Sequence, residues 1–197
     1  MKKFYQFGLV TICFFLNLNN VFTQNNRTID SLLHWLSLNN KHDTIWINNL
    51  ISLEKEYYIS IPEKVGTYAD TIINVSKELN YGFGIINGYS FKTLSLINKN
   101  QYNVAIKTVF EKLNFVEKYN NIEEKANSFM QLGYLYALLG NNEKSLESYL
   151  KAKSIAETIP NSNPSKERLI FAITINTGMA YSVLNQKEKA IEGYLLA

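Results

Sequence analysis

The sequence predicts an all-α protein, an α-solenoid of helix-turn-helix repeats, and three observations predict it. The first is a constant offset. Phe129, Leu132, Gly133, Tyr136, Ser145, Tyr149 and Ala152 are followed 45 residues later by Thr174, Thr177, Gly178, Tyr181, Ala190, Tyr194 and Ala197. A period of this size marks a repeat architecture, in which each unit buries its apolar face only against its neighbours. The second is the placement of small residues. Gly133 and Gly178 lie inside helical patterns, where Gly costs roughly 1 kcal/mol against Ala, so a Gly there signals close helix approach. The third is turn chemistry between the paired helices, Gly140-Asn141-Asn142 and Asn185-Gln186.

Within each unit the spacing reads aromatic-x-x-Leu-Gly-x-x-Tyr, a gap, then small-x-x-x-aromatic-x-x-Ala. In the better match this is Phe129, Leu132, Gly133, Tyr136, Ser145, Tyr149 and Ala152, with Pro160 following. The pattern resembles the tetratricopeptide repeat (TPR), whose signature is W-x-x-L-G-x-x-Y, A-x-x-x-F and a later Pro. Ser145 stands where that family usually has Ala. The second match has Thr174 and Thr177 for the aromatic and the Leu but keeps Gly178, Tyr181, Ala190, Tyr194 and Ala197.

Taken in chain order, residues 1–24 read as a secretory signal peptide. Lys2 and Lys3 form a basic start, Phe7 to Leu16 is an apolar run, and Val21-Phe22-Thr23 precedes a cleavage position. The run is shorter than the roughly 17–25 apolar residues a membrane span needs. An uncleaved anchor is the other reading. Residues 25–42 read as an N-terminal capping helix, opened by Thr28 and carrying Ile29, Leu32, Leu33, Trp35 and Leu36. Residues 43–197 then hold TPR-like repeats at about 43–80, 86–119, 126–160 and 171–197, the last one truncated. In the first, Asp43-Thr44 opens a helix, and Ser60 with Glu63 is expected to cap its second helix. Tyr81-Gly82-Phe83-Gly84 is expected to be a turn between repeats. Asn163 is expected to be an N-cap, with Pro164 at the first helical position.

Composition narrows the function classes. With 46% hydrophobic residues in 197, the chain can bury a core as one domain. The formal charge is +3, and only +1 without Lys2 and Lys3, which argues against nucleic acid as a partner. Cys13, the one cysteine, falls in the leader, and the two histidines are His34 and His42. Neither a zinc site nor thiol catalysis is expected from that set. His42-Asp43 reads as a surface pair at a helix start. Tyr81 to Gly84 lacks the third Gly and the preceding strand of a dinucleotide fingerprint. No phosphate loop, nucleophile elbow or carboxylate cluster is present, so the chain is expected to be no enzyme and to need no cofactor or metal.

The TPR resemblance implies that the first helix of each unit lines a concave face. Carried over by register, that face shows Asn87, Ser90, Leu94 and Asn98. The next unit adds Asn127, Met130, Tyr134 and Leu138, and the last adds Ala172, Ile175, Met179 and Ser182. The set has no Lys or Arg and suits an apolar or uncharged peptide. In a second reading, Leu94, Met130 and Ile175 simply pack against adjacent helices.

The end of the chain carries a further expectation. Ala197 corresponds to Ala152, after which the earlier unit continues through Ile155, Ala156 and Ile159 to Pro160. The last helix is therefore expected to continue in a longer protein, with membrane attachment possible beyond Ala197. A leader followed by such repeats is similar to the extracytoplasmic TPR regions of bacterial sensor histidine kinases and related regulators. That resemblance implies a non-catalytic, exported protein- or peptide-binding scaffold, the sensory part of a signalling protein in the periplasm or cell envelope. The alternatives are a docking module of a larger enzyme or a stand-alone cell-envelope assembly factor. Mass spectrometry of the protein from its native host is expected to find a new N-terminus near Thr23 to Asn25. An intact Met1 on soluble cytoplasmic protein would refute export.

Overall fold

The computed structural model describes residues 27–195. The leader expected over residues 1–24, the start of the 25–42 segment and the register position at Ala197 lie outside the described residues. The described residues form helices only. They are α1 (residues 27–38), α2 (Thr44–Ser60), α3 (Ala69–Glu78), α4 (Gly82–Asn98), α5 (Tyr102–Lys118), α6 (Ile122–Leu138), α7 (Asn142–Glu157), α8 (Ser165–Val183) and α9 (Lys187–Leu195). A short 3₁₀ turn, Pro62–Lys64, follows α2. From α2 onward the helices pair as α2/α3, α4/α5, α6/α7 and α8/α9, each packed on its sequence neighbours.

One local device ends most of these helices. Asn80, Asn100, Asn120, Gly140 and Asn185 have φ of 49, 57, 51, 73 and 59°. This is the left-handed region, which Gly and Asn tolerate best. At each, the next residue's N–H reaches back to a carbonyl five residues earlier: Tyr81 to Ser76, Gln101 to Leu96, Asn121 to Val116, Asn141 to Tyr136 and Gln186 to Tyr181, at 2.8–3.0 Å. The left-handed residue itself donates three residues back, as Asn120 does to Glu117 at 3.1 Å. These two bonds form the Schellman close, which satisfies carbonyls the helix would otherwise leave bare. A new helix starts two residues later, and Asn121 and Asn141 cap theirs by accepting from the N–H of Glu124 and Lys144. Helix plus turn therefore occupies a constant length, and α4, α5, α6 and α7 begin at 82, 102, 122 and 142.

Four expectations about local structure are corrected. Tyr81 to Gly84 is not an inter-repeat turn: Gly82–Asn98 is one helix, because the preceding helix already closes at Asn80. A Cβ at Gly82 would lie 2.7 Å from the Tyr119 ring, so this Gly serves helix approach. Ser60 does not open the second helix of its unit. It closes α2, and α3 begins only at Ala69 after the 3₁₀ turn and Gly66, whose φ is +84°. Pro164 is the N-cap and not the first helical residue, while the Asn163 Oδ1 still accepts from the N–H of Ser165 at 2.9 Å. Thr28 lies within α1 and does not precede it.

The core runs along the stack as overlapping clusters. Ile29 of α1 is buried with Leu53, Tyr57 and Val65. Ile47, Leu50 and Ile51 of α2 meet Ala69 and Ile72 of α3 and Phe91 of α4. Ala105, Val109 and Leu113 meet Leu132 and Leu135, and Ala126, Ala152 and Ala156 meet Leu169 and Ile173 across the longer 158–164 connection. Each fully buried Leu or Ile contributes about 1.5–3 kcal/mol, so no single pair carries the fold. The irregular α2–α3 connection is held differently. The buried Glu54 carboxylate accepts from the N–H of Gly66 at 2.7 Å and of Tyr68 at 2.6 Å. Burial pushes its carboxyl upward while these two donors oppose that shift.

Gly133 shows why a small residue recurs inside the first helix of a pair. A Cβ there would stand 2.6 Å from the Tyr149 ring of α7, closer than any relaxed contact. Tyr149 is buried, and desolvation raises its phenol to about 12. Gly133→Leu is expected to overpack this contact and cost about 1–3 kcal/mol. The exposed Lys107→Ala should stay within about 0.5 kcal/mol. Equal, small changes in the melting curves would contradict the packing described.

Candidate functional site

The face carried by α2, α4, α6 and α8 holds a groove of about 460 Å³ bounded by α2, α4, the end of α5 and the start of α6. Its apolar wall is Phe83, Ile86 and Tyr119, and its polar positions include Lys55, Asn87, Glu123 and Glu124. Phe83 is 53% exposed and leaves its ring open to the groove. Asn87 is held in place, its Nδ2 donating to the Phe83 carbonyl at 2.8 Å.

Behind the groove lies a buried cation. Lys112 belongs to α5, yet its side chain is 1% exposed and its Nζ lies 3.5 Å from Oε2 of Glu124. It donates to Gln131 Oε1 at 3.0 Å and to Ser90 Oγ at 3.3 Å. Burial pushes its ammonium pKa down, and the Glu124 carboxylate pulls the other way. All nearby acceptors are engaged, so Lys112 ties α4, α5 and α6 together instead of presenting a charge to a ligand. Glu124, 30% exposed, is the member of the pair that faces the groove.

The residues expected on this face divide into two groups. Asn87 lines the groove, and Tyr134, Leu138, Met179 and Ser182 are exposed on the same series of first helices. Leu94 packs on the α2–α3–α4 core and Met130 on the α6–α7–α8 core. Ser90 is engaged by Lys112, and its hydroxyl donates to the Ile86 carbonyl at 3.0 Å. Asn98 donates to the Pro62 carbonyl at 2.9 Å, and Asn127 lies 3.4 Å from Glu124 Oε1. Ala172 and Ile175 are half-buried. The groove is also not neutral. Lys55 stands on one side and Glu123 and Glu124 on the other, because the acidic pair occupies the first turn of α6, ahead of the register used to read the face. The early start of α4 likewise adds Gly82 and Phe83.

Among the described residues no cluster of three or more His, Cys, Asp or Glu is placed to hold a metal ion, and no helix is long and apolar enough to cross a membrane. His42 packs on Trp46 with ring centroids 4.2 Å apart and the planes tilted by 35°, and Asp43 caps α2 through the N–H of Ile45 and Trp46.

Helix pairs closed by left-handed turns, stacked along one axis of connectivity and grooved on the first-helix face, define a TPR-like α-solenoid. Solved structures share this fold. The apo form of RapI superposes with a TM-score of 0.64 at 17% identity, over 75% of this chain and 40% of that one. This chain thus spans well under half of RapI's length. The nearly identical TPR-like repeats of a Podosopora anserina protein described as a kinesin light chain give 0.64 at 13% identity, over 90% of this chain and 89% of that one. A single-substitution variant of the latter gives 0.67 at 13% identity. At these identities the likeness establishes the fold alone. No family model matches the sequence, and no curated protein matches it significantly.

The Lys112–Glu124 pair yields a test. Replacing a whole buried ion pair by apolar residues is often neutral, whereas removing one partner is costly when the charge left behind is buried. Lys112→Met is expected to stay within about 1 kcal/mol of the parent. Glu124→Ala should cost about 3–5 kcal/mol, because the charge it strands, the Lys112 ammonium, is 1% exposed, whereas Lys112→Met leaves behind only the partly solvated Glu124. The reverse order in chemical denaturation would show that the ammonium has another role.

Proposed function

We propose that this chain is an exported, non-catalytic scaffold that binds a protein or peptide along its first-helix face, and that it is the sensory part of a longer signalling protein. The observation that carries the binding reading is the groove over α2, α4 and α6, where Phe83, Ile86 and Tyr119 leave apolar surface open beside fixed polar groups. Exposed Tyr134 and Met179 extend open apolar surface along α6 and α8. An open groove with an apolar wall and a few oriented polar groups suits the apolar side of an extended or helical peptide. Charges on both sides, Lys55 against Glu123 and Glu124, would fix the direction in which a peptide lies. The leader layout of residues 1–24 supports export, and the resemblance to extracytoplasmic repeat regions of sensor kinases supports the sensory role. In this reading residues 43–197 are the repeat region, and residues 25–42 cap its start.

Site-specific photo-crosslinking in the native host tests the binding face. A photoreactive residue at Asn87, Tyr134 or Met179 is expected to give polypeptide adducts, and one at the exposed Thr71 of α3 should give none. Equal labelling from Thr71 and from those three positions, or labelling at Thr71 alone, would refute the groove as the binding face.

A further inference from the structure

The opposite face repeats a feature that the groove does not use. Between α5 and α7 lies a recess of about 280 Å³ lined by Phe110, Phe129, Tyr136, Lys144, Glu147 and Lys151. Between α7 and α9 lies another of about 310 Å³, lined by Leu150, Lys153, Tyr181, Lys189 and Glu192. They are the same recess one repeat apart. Tyr136, Lys144 and Glu147 return 45 residues later as Tyr181, Lys189 and Glu192, and Phe110 returns 40 later as Leu150.

In each recess a lysine lies over a tyrosine. Lys144 Nζ is 5.6 Å from the Tyr136 centroid, and Lys189 Nζ is 5.4 Å from that of Tyr181. Lys151 Nζ is 4.3 Å from the Phe129 centroid. Such contacts hold an ammonium without neutralising it. Lys92, Lys112 and Lys125 each have a carboxylate within 4.0 Å, whereas Lys144, Lys151, Lys153 and Lys189 have none among the described residues. The apolar walls are open as well, with Phe110 47% and Leu150 42% exposed. One unit earlier, the positions of Tyr136 and Lys144 are Leu96 and Val104. At this register the pairing belongs to the last two units, while lysines of earlier units meet rings elsewhere, as Lys77 does over Tyr89 and Phe115.

We propose that the α5–α7–α9 face is a second interaction surface, which takes an acidic amphipathic segment of a partner polypeptide. One apolar side chain of that segment enters each recess, and its carboxylates pair with Lys144, Lys151, Lys153 and Lys189. Charge complementarity sets this choice: four unpaired lysines surround two glutamates, around apolar walls. A basic segment would meet an excess of like charge. A nucleic acid backbone, uniformly anionic, would meet Glu147 and Glu192 and find no continuous basic stripe.

The test uses the full chain and a fluorescent helical probe peptide of Glu and Leu, beside versions with Lys for Glu and Ser for Leu, and an oligouridine RNA. The Glu–Leu peptide alone should bind, more weakly as salt rises, and should shift amide resonances of α7 and α9. The double variant Lys144→Glu, Lys189→Glu should weaken it roughly tenfold or more with an unchanged melting temperature. Five results would overturn the proposal: no binding of the Glu–Leu peptide, equal binding of the Lys version, preference for RNA, undiminished affinity in the double variant, or shifts confined to α4 and α6. Concentration-dependent dimerisation abolished by the same double variant would also overturn it, by assigning the face to a second copy of the chain.

Discussion

The left-handed residue that closes α3, α4, α5, α6 and α8 is the constraint on which the rest of this structure depends. At Asn80, Asn100, Asn120, Gly140 and Asn185 the chain leaves one helix and enters the next within two residues. So short a connection forces antiparallel neighbours. Its fixed length also makes the helices from α4 to α7 begin at the same phase relative to their predecessors. Once phase is set, the same face of each first helix points the same way, and a small residue can return opposite an aromatic one. Gly133 against Tyr149 is one result, and the repeated recesses beside Tyr136 and Tyr181 are another.

Where the rhythm breaks, other interactions take over. The α2–α3 connection uses a 3₁₀ turn, Gly66 and the buried Glu54 carboxylate in place of a two-residue close. The α7–α8 connection spans residues 158–164, and Leu169 and Ile173 restore contact with Ala152 and Ala156 beyond it. A buried ammonium between α4, α5 and α6 adds a polar tie next to the groove. The groove lies beside this tie, which steadies the helices that bear Ile86, Asn87 and Glu124.

Much of the fold was legible in the sequence because repeats write the same packing problem more than once. Gly133 and Gly178 signalled close approach, and the offset between them placed the last two helix pairs. The earlier pairs were blurred because their small residues shift position. Gly82, Gly84 and Gly88 crowd the start of α4, where the motif would put a single Gly later, and their clustering looked like a turn. The asparagines at 80, 100 and 120 carried the missing signal, a constant spacing of residues that tolerate positive φ. The binding face was less legible. Lys112 reads as a solvated lysine on a second helix, and only the three-dimensional packing turns it inward toward Glu124. Leu94 and Met130 have the same sequence character as Tyr134 and Met179, and the packing of each helix against its neighbours decides which are buried.

The account's central claim is that left-handed closes set the helix phase, and a substitution series at Asn100, Asn120 and Gly140 tests it most directly. Thermal melts would compare Gly and Val at each position. The account expects Gly to match or exceed Asn at 100 and 120, and Val to cost about 1–2 kcal/mol at all three, because a branched side chain opposes positive φ. Gly and Val variants of equal stability at these turns would contradict it.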